Sequence, residues 1–333
     1  MDKNCLSNKS AMMLFWLAVL SLFVFYFVWH KNLSASDIFC KKYSFLNSDI
    51  VCDYKYVMDK KEYTDLRSKL SLFIDNSKSR GKASLVAVWF RDLKYGPTFG
   101  IHDRVDFIPA SLLKLPLAMT YFEMAENDPS LLKRKIEYSN PNPAIPNQIF
   151  VPTKSIKEGQ SYSIEELIEY MIVYSDNNAS QLLYDYLKTD YPNENPLADT
   201  MRDLGILGSG SDIYLSSVNT KEYGSIFRLL FNASYLNKEN SEKLLSILAR
   251  SEFKDGLNAG VPENVVVVHK FGERYLDSGE RQLHDCGIIY FPGNPYQLCV
   301  MTRGTNYDDL KGIIKEISKE VYQEVDSRKI KTN

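Results

Sequence analysis

Apolar and polar positions alternate along this chain in three ways, and each predicts a different kind of element. The first is an uncharged apolar run over residues 11–29, long enough to cross a bilayer as a helix. The second is helical spacing: Tyr63, Leu66, Leu70 and Phe73 recur at three- and four-residue steps and predict an amphipathic helix over residues 60–74. Further helices are expected over 163–173, 180–188, 196–204, 219–231, 241–251 and 308–325. The 163–173 helix carries its own start signal, Ser163 followed three residues later by Glu166, the pattern of a capping box. The third pattern is the short β-branched or aromatic run, over 83–90, 97–102, 265–269, 285–291 and 297–302. Tyr95-Gly96 and Pro292-Gly293-Asn294-Pro295 turn between strands, while residues 138–159 form a Pro/Asn-rich connector without periodicity.

Strands at both ends of this pattern and helices in its middle predict an α+β fold in three layers. One antiparallel sheet is completed by N- and C-terminal segments, helices pack on it, and a helical insert separates its halves. The expected division is a membrane anchor over 1–31, a polar Tyr- and Lys-rich linker over 32–58, a catalytic domain over 59–326 and a polar tail over 327–333.

Composition changes this picture little. An apolar fraction of 44% and a charged fraction of 25% are ordinary for a globular chain of 333 residues. A net charge of −2 gives no footprint for nucleic acid. The four histidines, His30, His102, His269 and His284, are scattered, and no Cys-x-x-Cys is present, so neither metal nor cofactor is expected. Lys3 and Lys9 precede the apolar run and Trp16, Tyr26 and Trp29 suit an anchor, which puts the N-terminus inside and the rest of the chain outside. The rival is a cleaved signal peptide with Ser34-Ala35-Ser36 as its small-residue site. Cys40 and Cys52 could pair outside the cytoplasm, whereas Cys286 and Cys299 are expected as free, buried thiols.

The candidate chemistry begins in the apolar stretch 108–117, which holds one hydroxyl, Ser111, and three residues on one amine, Lys114. On a helix these two share a face and can touch. A lysine among leucines loses solvation of its ammonium, so its pKa falls and it can take the proton of an attacking serine. Two further groups follow in order, Ser175-Asp176-Asn177 and Lys270-Phe271-Gly272, the latter after an apolar strand.

The order Ser111-x-x-Lys114, Ser175-Asp176-Asn177, His269-Lys270-x-Gly272 resembles the serine β-lactamase and penicillin-binding-protein superfamily, and within it the class A β-lactamases. The resemblance spans about residues 60–325 and takes in Asp285-x-Gly287-Ile288-Ile289-Tyr290-x-Pro292-Gly293 and Thr302-Arg303-Gly304. It implies that Ser111 is the acylated nucleophile and Lys114 its proton acceptor. Ser175 would relay a proton to the leaving nitrogen and Lys270 would polarise Ser175. Asn177 would hold the substrate's amide and Asp176 would bond loop backbone. The N–H groups of Ser111 and Glu273 would form the oxyanion hole, with Gly272 beside it.

Two departures from the family pattern matter. Phe271 stands where the family carries a hydroxyl for a substrate carboxylate, and Glu273, on the same strand face, adds a negative charge. The stretch 205–217, where class A enzymes hold a deacylating water on a Glu, has no Glu; Asp212 is its one acid and a poor substitute. The expectation is an anchored extracytoplasmic serine hydrolase, acting as a monomer on β-lactam amides and deacylating slowly. Two alternatives are a D,D-peptidase-like hydrolase of wall peptides and a binding module that does not turn over. The partners expected are a small-molecule or peptide substrate and the membrane.

Overall fold

The computed structural model describes residues 63–139, 141, 148–206 and 217–330, together with 43–47 and the single positions 12, 16 and 21. The chain divides into two units, Met1–Tyr56 and Val57–Asn333. The second unit holds all the named elements below.

Its elements in chain order are α1 (Thr64–Ser79), β1 (Leu85–Asp92), β2 (Thr98–Ile101), a 3-10 turn (Ala110–Leu113), α2 (Lys114–Asn127), β3 (Lys135–Glu137), β4 (Ser161–Ser163), α3 (Ile164–Val173), α4 (Asn177–Asp190), α5 (Pro196–Asp203), α6 (Thr220–Phe231), α7 (Lys238–Leu248), β5 (Val267–Tyr275), β6 (Arg281–Ile289), β7 (Tyr296–Gly304) and α8 (Tyr307–Ile330). The main sheet runs β2-β1-β7-β6-β5 with antiparallel pairing throughout. Leu85 opposite Arg303 and Asp92 opposite Tyr296 join the two ends of the domain into that sheet.

One sheet face buries Val86, Val88, Phe90, Val267, Leu283, Leu298 and Val300 against Leu66, Leu70 and Ile74 of α1 and Ile313, Ile314 and Ile317 of α8. Each such side chain stabilises the fold by roughly 1.5–3 kcal/mol relative to exposure, so this alternation of apolar positions decides which face each strand turns inward. The other face is covered by α6 and α7. The result is the three-layer α+β architecture with a helical insert.

Strand β5 is an edge strand. Tyr290 N donates to Val266 O at 2.9 Å and Leu276 N to Glu280 O at 2.8 Å, which places the even-numbered residues of β5 in the hydrogen-bonded pairs with β6. The N–H and C=O groups of Phe271 and Glu273 therefore point to the open edge.

Several expectations shift. Helix α1 passes through Asp75-Asn76-Ser77, where the Ser77 hydroxyl donates to Phe73 O at 2.9 Å, and ends at Ser79, just before Gly81 with φ +69°. The capping box on α3 is present, Ser163 N donating to Glu166 Oε2 at 2.7 Å and Glu166 N to Ser163 Oγ at 3.2 Å. Strand β5 continues through Tyr275, because β6 pairs with it over nine positions, so Lys270-Phe271-Gly272 lies within the strand. Strands β3 and β4 bracket the 138–159 connector and pair with each other, too short to leave a periodic signal. Helix α8 runs on to Ile330, into the stretch assigned to a tail.

Cys286 and Cys299, expected as free thiols, are joined in a disulfide; they are direct partners in the β6–β7 register, which sets both side chains on one face. Among the described residues no helix is long and apolar enough to cross a membrane. Most of the apolar run 11–29, Cys40, Cys52 and Asp212 lie outside the described residues.

Candidate active site

The site forms where the open edge of β5 meets the start of α2 and the loop between α3 and α4. Ser111 lies in the 3-10 turn and Lys114 opens α2, its backbone N–H closing that turn on the Ser111 carbonyl. Ala110, immediately before Ser111, has φ +50°, and Ser175 has φ +55°. Left-handed backbone at a residue with a Cβ costs on the order of 1 kcal/mol or more, and it persists only where the surroundings enforce it. The enforcement is visible on both sides. Tyr223 donates to Leu112 O at 2.9 Å and His284 Nε2 donates to Ile108 O at 3.1 Å, pinning the turn that presents Ser111. Gly272 closes the gap: a Cβ there would lie 2.9 Å from Pro109 O and 3.1 Å from Leu112 Cγ, so only glycine lets β5 approach this closely.

Ser175 stands between two buried lysines. Lys270 Nζ donates to Ser175 Oγ at 2.9 Å and to Phe271 O at 2.9 Å. Lys114 Nζ reaches Ser175 Oγ at 3.2 Å, Asn177 Oδ1 at 2.7 Å and the Ser175 carbonyl. An ammonium has three donors, and these three acceptors use them all. Lys114, one turn from Ser111, thus directs these hydrogen bonds to the Ser175–Asn177 segment. Ser175 and Lys270 have no exposed surface and Lys114 is buried, whereas Ser111 is partly exposed.

Burial governs the protonation of both amines. It pushes Lys114 down from its usual range to about 7, against the pull of Asp176 and Glu273. Burial and the neighbouring Lys114 push Lys270 well down, partly offset by Asp285 and Glu273. Lys114 can therefore exchange a proton near neutral pH.

Asp176 is built into the loop. Its Oδ1 accepts from Asn178 N at 2.9 Å, which caps α4, and its Oδ2 accepts from Ile156 N at 2.9 Å and the Ser155 hydroxyl at 3.0 Å. Phe271 turns its ring into the core, stacked on Phe253 at 4.2 Å and edge-on to Phe150 at 5.9 Å, with Lys270 Nζ 4.4 Å from the ring centre. Glu273 accepts from Ile149 N at 2.8 Å and Phe150 N at 3.2 Å, and burial raises its pKa against those bonds.

Gln148 is a site residue without a sequence signal. Its Nε2 donates to Ser175 O at 2.9 Å and its Oε1 accepts from Asn177 N at 3.3 Å. It comes from the aperiodic connector, where nothing in the sequence marks one polar residue above another. Tyr223 and His284 escape notice for a related reason: they act on carbonyls that are far away in sequence. Among the described residues no cluster of three His, Cys, Asp or Glu could hold a metal ion.

An α+β fold with Ser111, Ser175 and two buried lysines at one sheet edge defines a serine hydrolase of the β-lactamase type. The chain belongs to the beta-lactamase enzyme family, whose model matches residues 66–325. A β-lactamase of Bacteroides uniformis is 26% identical over 283 residues, which is 77% of this chain and 90% of that protein. Among solved structures, PBP-A has the same fold with a TM-score of 0.66 at 18% identity, over 82% of this chain and 100% of that one. A class A β-lactamase from Bacteroides cellulosilyticus gives 0.65 at 20% identity, over 79% and 99%.

Proposed function

We propose that this hydrolase is acylated on Ser111 by β-lactam amides and releases the product slowly. The observation that carries the reading is the meeting of two buried amines, Lys114 and Lys270, on one hydroxyl, Ser175, beside the turn of Ser111. When Lys114 loses its proton it keeps two donors for the Ser175–Asn177 segment, and its lone pair is free to take the Ser111 proton. Ser111 Oγ then bonds to the amide carbon. The N–H groups of Ser111 and Glu273 receive the oxyanion, the latter from the open edge of β5. As the carbon–nitrogen bond breaks, the Ser175 hydroxyl gives its proton to the leaving nitrogen and is resupplied by the adjoining lysines. Asn177 and Gly272 border the acyl group.

Slow release follows from the chemistry of the second step. Ester hydrolysis needs a water held and deprotonated as it attacks, and residues 205–217 contain no Glu for that task, only Asp212. The same shortage favours a D,D-peptidase-like reading as the second candidate. The shared fold with PBP-A, a mutant of which is known as an acyl-enzyme complex with penicillin G, fits either reading. A fluorescent penicillin on the full-length protein separates the outcomes. Label without turnover supports the proposal, rapid turnover refutes slow release, and no label from either the penicillin or its methyl ester refutes acylation.

The apolar run 11–29 motivates an extracytoplasmic, membrane-anchored location. The full-length protein is expected to stay with membranes after a salt wash, and a shortened protein recovered from the medium would instead identify a signal peptide.

A further inference from the structure

The mouth of the site carries a carboxylate that belongs to the protein itself. Glu273 is partly buried on the open edge of β5, and its oxygens accept from the successive N–H groups of Ile149 at 2.8 Å and Phe150 at 3.2 and 3.3 Å. Adjacent backbone N–H groups converging in this way form a small anion receptor, and here the protein's own side chain fills it. The same short segment is tied at its other end, where Gln148 bonds Ser175 O and Asn177 N. Between the two ties the Phe150 ring packs edge-on against Phe253 and Phe271 at 5.1 and 5.9 Å. Residues 148–150 thus link the Ser175 loop to the edge of β5, beside a Ser175–Lys270 pair that has no exposed surface.

The lysines of the site already face carboxylates of the protein itself. Lys114 feels Asp176 and Glu273, and Lys270 feels Asp285 and Glu273. Asp285 is itself shared with His269 Nδ1 at 2.7 Å and Leu257 N at 2.8 Å. A substrate anion placed beside the reacting amide would have to take the Ile149 and Phe150 donors from Glu273 and then lie next to the displaced charge. In a partly desolvated site that repulsion is far stronger than in water.

We propose that Glu273 is a specificity-determining residue: it fills the anion position of the site with the protein's own carboxylate and so selects acyl donors that carry no carboxylate beside the scissile amide. The substrate class is a neutral or amine-bearing lactam or amide. This rests on the acyl-transfer reading above, but it concerns binding and can be read without the covalent step.

The test uses the full-length protein with Ser111→Ala, which cannot be acylated, and measures by calorimetry the affinity for benzylpenicillin and for its methyl ester. The ester is expected to bind about tenfold more tightly than the acid. Adding Glu273→Gln, which keeps an acceptor for the Ile149 and Phe150 donors, is expected to move that ratio about tenfold toward the acid. Gln148→Ala in the Ser111→Ala background is expected to shift both affinities together and leave the ratio unchanged. The proposal is overturned by a ratio that Glu273→Gln does not move, by tighter binding of the acid to the Ser111→Ala protein, by a ratio that Gln148→Ala moves as much, or by no binding of either ligand at millimolar concentration. Failure of wild-type protein to acylate would sink the proposed function and leave these ratios readable.

Discussion

The sheet and the helical insert each deliver one lysine to the same hydroxyl, and they do so by different means. Lys270 sits on β5, held by a continuous ladder to β6, and its ammonium rests over the Phe271 ring in an aromatic cluster with Phe253. Lys114 sits at the first residue of α2, buried among Leu112, Leu115 and Leu117, and bonds to a loop whose Ser175 is in a left-handed conformation. Both amines are desolvated, and on the sheet side the buried Phe271 ring packs beside the Lys270 amine on the same strand. On the insert side a serine in left-handed conformation is added to the desolvated amine, and both are held at the expense of stability. Removing the buried Lys114 amine should therefore free stability, whereas removing the Phe271 ring from the sheet side should cost it.

The largest expected effects fall on rate. Lys114→Ala and Lys270→Ala should each slow acylation by about 10²–10⁴-fold, the usual worth of a positioned acid or base, measured by stopped-flow with a chromogenic β-lactam. An unchanged rate in either variant would remove that lysine from the mechanism. Stability then separates the two regions. Phe271→Ala on the sheet side should cost about 3–5 kcal/mol in denaturant unfolding, the range for a buried aromatic side chain. Lys114→Met on the insert side should raise the unfolding midpoint at neutral pH.

The pH dependence sharpens the same contrast. Lys114 has a pKa of about 7 in the fold against 10.5 when unfolded, so between those values the unfolded chain binds the extra proton and stability rises with pH. The penalty of burial is present in full below about pH 7 and is gone above about 10.5. Lys114→Met should lessen that slope and leave the part that Lys270 contributes, and a slope that the substitution does not change would locate the proton elsewhere. Acylation should fall about tenfold per pH unit below 7, because only the neutral amine can accept the Ser111 proton. The smallest effect belongs to Gln148→Ala, which removes two bonds to the Ser175 loop. A change of about 1 kcal/mol, several-fold in acylation rate, is expected, and an effect as large as that of Lys270→Ala would make Gln148 part of the chemistry.

The same division decides what could be read from the sequence. The strands were legible because alternation of apolar residues has a period of two that follows from the pleat, and the order of the Ser111, Ser175 and Lys270 groups carried the site. The α3 start was legible because Ser163 and Glu166 bond to each other across one turn. What was not legible is long-range and polar. The Gln148 bonds, the capture of the Ile149 and Phe150 N–H groups by Glu273, and the pinning of the Ser111 turn by Tyr223 and His284 all join residues whose separation follows no period. The Lys114 hydrogen bonds were not legible for a local reason: the Ser175–Asn177 segment offers its ammonium three acceptors, and that segment could not be placed from spacing alone. The Cys286–Cys299 disulfide depended on register, which the turn at 292–295 did not define closely enough.

The most direct test of the central claim is the intact mass of the full-length protein after mixing with benzylpenicillin methyl ester, which carries no carboxylate beside the scissile amide, followed over time and mapped by peptide digestion. The account predicts one adduct per chain on Ser111, formed in a burst of about one equivalent and persisting for minutes or longer, with none on Ser111→Ala. Hydrolysis of many equivalents with no adduct detectable, or an adduct that survives Ser111→Ala, would contradict it.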